Sequence, residues 1–471
     1  MKPMKFALPL LLSACSMAPR DVAVAPPVPE TWPSGPAYGA PQAALPETIG
    51  YRGIFADQRL QSLIEQALES NRDLKVAAAN VMAARAQVRI QRAEQLPQLD
   101  LTAGATHTRS NNGTLGNQGA ATGGQVRSRT SYSAQLGITA FELDLFGRLA
   151  SLSEAEQNRY LASEAGARAT RLALVGDIAD GWLAHAADAS LLQVALDTVA
   201  SAQRTVALTR ARLDGGIAPR SDLRQAEQIL ATAEADVARQ RTALAQDING
   251  LQLLVGGPIA NDLLPDRIEQ AAQGVKEVPA GVDSRVLLRR PDVIQAEYLM
   301  LAENAEIGAA RAAMFPRISL TGLLGFASNA LSGLFTGGAF RYSGSGDASY
   351  AIFQAGAAKA GVRLSQAQRD AALATYEKSI QSAFRDVADG LARRGTIDAE
   401  MAAIRRQAVA AEDGYALADA RYRRGVDTFL SSLVAQRAAY SARRDIVAIE
   451  LEAASNRVAL FRALGGDARW E

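Results

Sequence analysis

The sequence predicts a mostly α-helical chain whose few β-strands belong to a membrane β-barrel shared between copies. Three observations carry that prediction. Two stretches of about 67 residues, 147–213 and 357–424, contain no proline, there being none between Pro97 and Pro219 and none after Pro316. Both stretches carry seven-residue apolar repeats. Between the helical regions lie four short runs with period-two alternation.

The N-terminus comes first in chain order. Lys2 and Lys5 precede the apolar run "FALPLLLSA" and then Cys15, the only cysteine of the 471 residues. So short a run cannot span a bilayer as a helix, but it fits the core of a signal peptide. Leu12, Ser13 and Ala14 ahead of Cys15 resemble a bacterial lipobox, so residues 1–14 read as a lipoprotein signal peptide and Cys15 as the acylated first residue. Several acyl chains on one residue hold a membrane firmly. In such lipoproteins Ser16, rather than Asp, favours sorting to the outer membrane. Residues 15–55 then form a lipid-anchored tether, since 18–48 hold eight of the 17 prolines and favour an extended chain.

The long helices follow. Ile178, His185, Leu192, Val199, Val206 and Leu213 recur every seven residues in the first. Leu373, Ile380, Val387, Met401, Ala408, Tyr415 and Tyr422 do so in the second, interrupted by Arg394. At 1.5 Å per residue each helix reaches roughly 100 Å, and a seven-residue repeat implies left-handed coiled packing on partner helices. Residues 220–254 and 428–464 supply those partners after tight Gly-containing turns. "RARLDGGIAPRSDL" (210–223) and "DARYRRGVDTFLSSL" (419–433) are therefore the tips of two helical hairpins.

The two halves are duplicates. Gly216 to Gly257 matches Gly425 to Gly466, "LVGG" (254–257) matches "ALGG" (463–466), and "EQLPQLDLTAG" (94–104) matches "AMFPRISLTGL" (313–323); Asp73 and Asp292 open equivalent helices. The expected layout is a first repeat over 56–258 (strand pair about 98–141, tip about 212–222), an equatorial linker over 259–282, a second repeat over 283–466 (strand pair about 317–353, tip about 421–431) and a tail over 467–471.

Leu99, Leu101, Ala103 and Ala105 alternate with polar or small residues. So do Tyr132, Ala134, Leu136 and Ile138, and later Ile318, Leu320, Leu324 and Phe326. The joining segments are Gly-rich and of a length that suits the outer loops of membrane barrels. Four strands cannot close on themselves in a bilayer, where every backbone N–H and C=O must be paired, so several chains must share one barrel. Two chains would fill the interior with side chains, and only larger barrels leave a lumen. Two β-hairpins lying on a helical body are the plainer alternative.

Chemistry of other kinds finds little support. The formal charge is +1, from 50 basic and 49 acidic residues, which offers no field for nucleic acid. His107 and His185 are the only histidines, without metalloprotease spacing, and His185 falls on the heptad seam as a packing residue. A lipidated Cys15 leaves no thiolate for catalysis or metal binding. No phosphate-binding GxxxxGK[ST] loop exists. Neither enzyme activity, nor a cofactor, nor a metal is expected.

"RRPDVIQAEYLMLAENAEIGAARAAMFPRISLTG" (289–322), "YEKSIQSAFRDVADGLARR" (376–394) and the RxxxG turns at Arg212/Gly216 and Arg421/Gly425 together resemble the outer-membrane efflux lipoprotein family, the TolC-like channels of tripartite pumps. The resemblance covers nearly the whole mature chain. It implies a homotrimer with a twelve-stranded barrel in the outer membrane of a Gram-negative bacterium, and a long α-helical barrel crossing the periplasm. It also implies docking to a periplasmic adaptor and an inner-membrane RND-type transporter, with drugs and other small molecules as cargo. The other readings are the duct of a type I protein secretion system and a non-conducting lipid-anchored scaffold.

The tips carry the expected site. Arg212, Gly216, Arg421 and Gly425 should face the adaptor. The family's acidic ring in the helix after the second tip is missing, because those positions are Ser431 and Val434; Asp419 and Asp427 are the nearest substitutes, although solvated charges at a helix end explain them equally well. Tyr422, which resembles the family's tip tyrosine, is expected to donate to Asp222 as a latch, with Asp419 and Tyr415 lining the constriction. The plainer alternative is that Tyr422 only continues the seam.

Overall fold

The structure, a computed structural model, describes residues 17–19, 29, 31–38, 50–111, 126–277 and 284–466. Cys15, most of the loop after the first strand and the C-terminal tail lie outside the described residues. The chain divides into two compact units: one holds residues 82–161 and 298–374 with Met17–Pro19, and the other holds the remaining described residues.

Helices dominate, in the same order and nearly the same lengths in each half. Short helices α1 (Tyr51–Ile54) and α2 (Gln58–Ser70) lead to α3 (Arg72–Ala93), strands β1 (Leu99–Asn111) and β2 (Val126–Glu142), and helices α4 (Arg148–Asp214) and α5 (Arg220–Val255). After the short helix α6 (Ile268–Gln273), the series repeats as α7 (Pro291–Ala312), β3 (Arg317–Ser328), β4 (Phe340–Ser349), α8 (Ala357–Arg423) and α9 (Phe429–Ala463). Helices α4 and α8 are 67 residues each, as the absence of proline permits. No helix among the described residues is long and apolar enough to cross a membrane.

The strands form one antiparallel sheet in the order β1-β2-β3-β4. Its registers set Leu101 opposite Leu136, Leu136 opposite Leu324 and Leu324 opposite Tyr342, so one face carries an apolar row. Leu101, Leu324 and Tyr342 are all exposed. The other face carries Thr106, Ser131, Thr321 and Ser345. The foot of the sheet is tied down by Glu142, which accepts both Arg148 (2.9 and 2.8 Å) and Arg317 (2.7 Å). Here Asp144 caps α4 through the amides of Arg148 (2.6 Å) and Ala150 (2.8 Å).

The main core lies in the second unit. Trp182 is fully buried among Phe55, Leu60, Leu63, Ile178, Leu251 and Ile268, and its indole N–H donates to the Leu263 carbonyl at 3.0 Å. Burying an indole with its one donor satisfied keeps the apolar gain without a desolvated N–H. Nearby, Asp247 of α5 lies against Asp188 of α4. Burial first, and then the neighbouring Asp188 carboxylate, push Asp247 up to about 6. His185 is buried with its Nδ1 4.0 Å from Asp247, and burial holds its pKa below the ordinary value. His185 thus packs on the seam and is flanked by acids as well.

Two details depart from the sequence reading. Along the outer third of α4 the fully buried seven-residue series is Ala195, Ala202 and Thr209, while Leu192, Val199 and Val206 are half-buried. Two tyrosines of the second hairpin lie along this stretch, Tyr415 against Ser201 and Tyr422 against Thr209. The described parts of the Pro-rich tether are also docked rather than free. Arg311 donates to the Met17 carbonyl (3.1 Å) and Asn304 to that of Pro19 (3.2 Å). In the second unit Ser284 donates to the Pro29 carbonyl (2.7 Å), and Trp32 stacks on Phe384 with centroids 5.1 Å apart.

Candidate functional site: the two hairpin tips

Both tips close with the same backbone device. Helix α4 ends where the Ile217 amide donates to the Arg212 carbonyl (2.8 Å) and the Gly216 amide to that of Leu213 (2.9 Å). At the second tip Val426 donates to Arg421 (3.0 Å) and Gly425 to Tyr422 (3.0 Å). This 6→1 and 5→2 pairing is the Schellman cap, which needs a left-handed residue. Gly216 supplies φ +72° and Gly425 φ +75°. A Cβ at either position would meet nothing within 4 Å, so backbone conformation alone selects glycine.

The entries to the returning helices differ. Helix α5 starts after Pro219, which offers no side-chain cap, with Asp222 in its first turn. Helix α9 starts after Thr428, whose Oγ1 accepts the Ser431 amide at 3.4 Å. Asp427 stands beside it, accepting Arg421 Nε (3.0 Å), the Thr428 amide (3.2 Å) and Ser431 Oγ (3.4 Å). The Arg421 hydrogen bond chiefly holds the Asp427 carboxyl below its usual range.

Side chains then join the tips to each other. Tyr422 is buried, tilted against Phe429 at 5.4 Å, with Ala226 beside it. Its hydroxyl lies 3.2 Å from Thr209 Oγ1. The Arg212 guanidinium carbon sits 4.3 Å over the Tyr422 ring, and its Nη2 donates to the carbonyls of Tyr422 (2.8 Å) and Arg423 (2.9 Å). Those carbonyls are at the end of α8, where helix geometry leaves acceptors unpaired and the dipole is negative. Arg212 therefore caps the partner hairpin's helix while stacking on its aromatic ring. Further from the tips the pattern recurs: Tyr415 pairs with Ser201 (2.9 Å), and Tyr440 donates to the buried Asp236 (2.7 Å). Burial and that acceptor push Tyr440 up to about 12.

This arrangement corrects the expected latch. Within the chain Tyr422 bonds Thr209 and not Asp222, because its ring turns toward α4, whereas Asp222 stays half-buried in the first turn of α5 and accepts Ser221 Oγ at 3.3 Å. Arg212 likewise points inward and is engaged, where an outward-facing side chain was expected. Its repeat counterpart Arg421 is exposed. Asp419 is ion-paired with Arg423 at 2.8 Å and Asp427 with Arg421 at 3.0 Å, so neither acid stands as an uncompensated charge. Thr209, Phe429 and the Tyr440–Asp236 pair escaped the sequence reading. The available signal was that Tyr415, Tyr422 and Tyr440 replace Val206, Leu213 and Ala231 of the first repeat, which sets three hydroxyls on one hairpin only.

Comparison with known proteins places this geometry. The signature of the family described as "Outer membrane efflux protein" matches residues 63–257 and 282–466, one segment in each half. The chain belongs to that family. It is 41% identical over 468 residues to the solvent efflux pump outer membrane protein SrpC of Pseudomonas putida, covering 98% of this chain and 97% of that protein. Among solved structures, a membrane protein from Pseudomonas aeruginosa is similar with a TM-score of 0.83 at 35% identity, covering 96% of this chain and 98% of the other. The open state of the MtrE outer membrane channel of Neisseria gonorrhoeae is similar with a TM-score of 0.83 at 33% identity, covering 97% and 99%. The outer-membrane efflux protein described here is thus mostly helical with a four-stranded antiparallel sheet, the fold of outer-membrane channels, and its place is the outer membrane.

Proposed function

We propose that three copies of this efflux protein form the outer-membrane duct of a tripartite pump, passing drugs and other small molecules from an inner-membrane RND-type transporter and its periplasmic adaptor to the exterior. The observation that carries this reading is the sheet: four strands with two open edges and an exposed apolar row, which a bilayer tolerates only when copies close it into one barrel. Twelve strands would leave a lumen. No enzymatic step is assigned; the family consists of efflux proteins. Cys15 would anchor each copy through acyl chains.

The tips are the gate in this reading. Arg212, Tyr422–Thr209 and Tyr415–Ser201 hold the second hairpin against the first, which favours a closed end. Gly216 and Gly425 turn the chain where an adaptor would seat, with the exposed Arg421 and the half-buried Asp427, Asp419 and Asp222 as the polar groups around them. Deleting the gene and measuring susceptibility to a panel of drugs and solvents tests the cargo. Loss of tolerance is expected. Unchanged tolerance together with loss of a secreted protein would identify a type I secretion duct instead.

A further inference from the structure

The two β-hairpins carry their charges unevenly along their length. Between Asp100 and Glu142, and again between Arg317 and Asp347, the sequence holds no acidic residue, and its charged residues are Arg109, Arg127, Arg129 and Arg341. The joining loops 112–125 and 329–339 carry no charge of either sign. Asp100, Glu142 and Asp347 all stand toward the end of the sheet where the helices attach. The loop end therefore holds arginines alone.

Strand register decides which of these arginines share a face. Arg129 lies opposite Thr108 and two residues before Ser131, and Arg341 lies opposite Gly325 and four residues before Ser345. Side chains alternate between faces along a strand, so Arg129 and Arg341 both stand on the polar face. Asp100 and Asp347 share that face. Arg109 keeps step with Leu101 instead, and falls on the apolar face with His107.

The two polar-face arginines are exposed and not neutralised where they stand. Arg129 Nε donates to Asn329 Oδ1 at 2.9 Å, a neutral acceptor, and Arg341 has no ion-pair partner among the described residues. At the foot the arginines are matched, since Arg148 and Arg317 share Glu142. Nor do the acids of the same face reach far enough. Asp347 is six residues from Arg341, about 20 Å along the strand, and Asp100 sits opposite Gly137, eight residues or about 27 Å from Arg129. Both separations exceed the Debye length of about 8 Å at physiological salt.

A lumen wall is the place where such charges act. In the channel reading the apolar face meets lipid and the polar face lines the lumen, with the loops outside. Twelve strands about 4.8 Å apart and tilted by about 40° close at a backbone radius of about 12 Å, and side chains reach inward from that wall. Guanidinium groups on it are then roughly one Debye length from the axis. Resting on that reading, we propose that Arg129 and Arg341 make the outer half of the lumen selective for anions, so that small inorganic and organic anions pass the exit more readily than cations.

Reversal potentials across planar bilayers under a potassium chloride gradient test this, read at the higher-conductance level, where the tips do not limit the current. Arg129→Glu/Arg341→Glu should lower the chloride-to-potassium permeability ratio at least threefold or so in about 0.1 M salt, with Arg129→Gln/Arg341→Gln moving it part of the way. In about 1 M salt, where the Debye length is about 3 Å, the difference should vanish. Arg109→Gln, on the apolar face, should leave the ratio at its wild-type value. Conducting channels whose ratio is the same in wild type and both double variants, or shifts with Arg109→Gln instead, overturn the selective exit and leave the channel reading standing. Wild-type protein that inserts without conducting overturns both.

Discussion

Arg212→Gln removes the side chain that joins the two tips, and its effect can be worked from the contacts. Lost are two charge-assisted bonds to the carbonyls of Tyr422 (2.8 Å) and Arg423 (2.9 Å) and a cation–π contact at 4.3 Å. Such bonds contribute about 1.5–3 kcal/mol each when desolvated, but Arg212 is half-buried, so about 1 kcal/mol each is the appropriate scale. An exposed cation–π contact adds about 0.5–1 kcal/mol. The sum, about 2–3 kcal/mol per copy, would shift the open-to-closed ratio of one hairpin pair by roughly 30- to 150-fold. Single-channel recording in planar bilayers reads that ratio as time spent in the higher-conductance state. A double-mutant cycle sharpens the result. Tyr422→Phe keeps the ring under Arg212 and loses only the Thr209 bond, so its effect should add to that of Arg212→Gln within about 0.5 kcal/mol, whereas Tyr422→Leu should couple to it by about 0.5–1 kcal/mol. Wild-type gating in Arg212→Gln, or equal coupling for Phe and Leu, would refute the tip-to-tip clamp.

Other outcomes follow from single positions. Gly216→Ala should cost about 1–2 kcal/mol from left-handed strain alone, while Gly256→Ala, at φ +80° with its new Cβ 2.6 Å from the Ser70 carbonyl oxygen, should cost a further 1–3 kcal/mol or so; melting temperatures of the two variants compare them directly. Asp247 titrates near 6 when folded, against an ordinary 3.8, so the folded protein binds more protons and stability falls as pH rises from about 4 through 6. Asp247→Asn should therefore stabilise the protein more at pH 8 than at pH 4, read as a flatter melting temperature against pH. Cys15 should be the acylated first residue of the mature protein by mass spectrometry, and an unmodified terminus elsewhere would end the lipobox reading.

The sequence made the hairpins legible because their signals are local and strong. Absence of proline over 147–213 and 357–424 permits long helices, and a glycine at each tip allows the left-handed cap that ends them. The strands were legible through alternation at Leu99–Ala105 and Tyr132–Ile138, where a two-residue period has no helical reading. Partner choice was not legible. Tyr422 has several hydroxyl and carboxylate groups within plausible reach, and only the rotation of α8 about its axis decides for Thr209 over Asp222. On α4, Ala195, Ala202 and Thr209 are buried while the larger Leu192, Val199 and Val206 are half-buried, a choice that a hydrophobicity pattern makes the other way. Arg212 misled for a related reason. A charged residue at a helix end suggests solvent, but here the unpaired carbonyls of a second helix end lie close enough to take its donors.

Conductance of the purified wild-type protein in a planar bilayer tests the central claim most directly. Copies that close their open sheets into one barrel should insert as discrete, uniform steps that fluctuate between a low and a high level as the tips close and open. A bilayer that stays at baseline conductance after verified insertion of the protein would contradict the account.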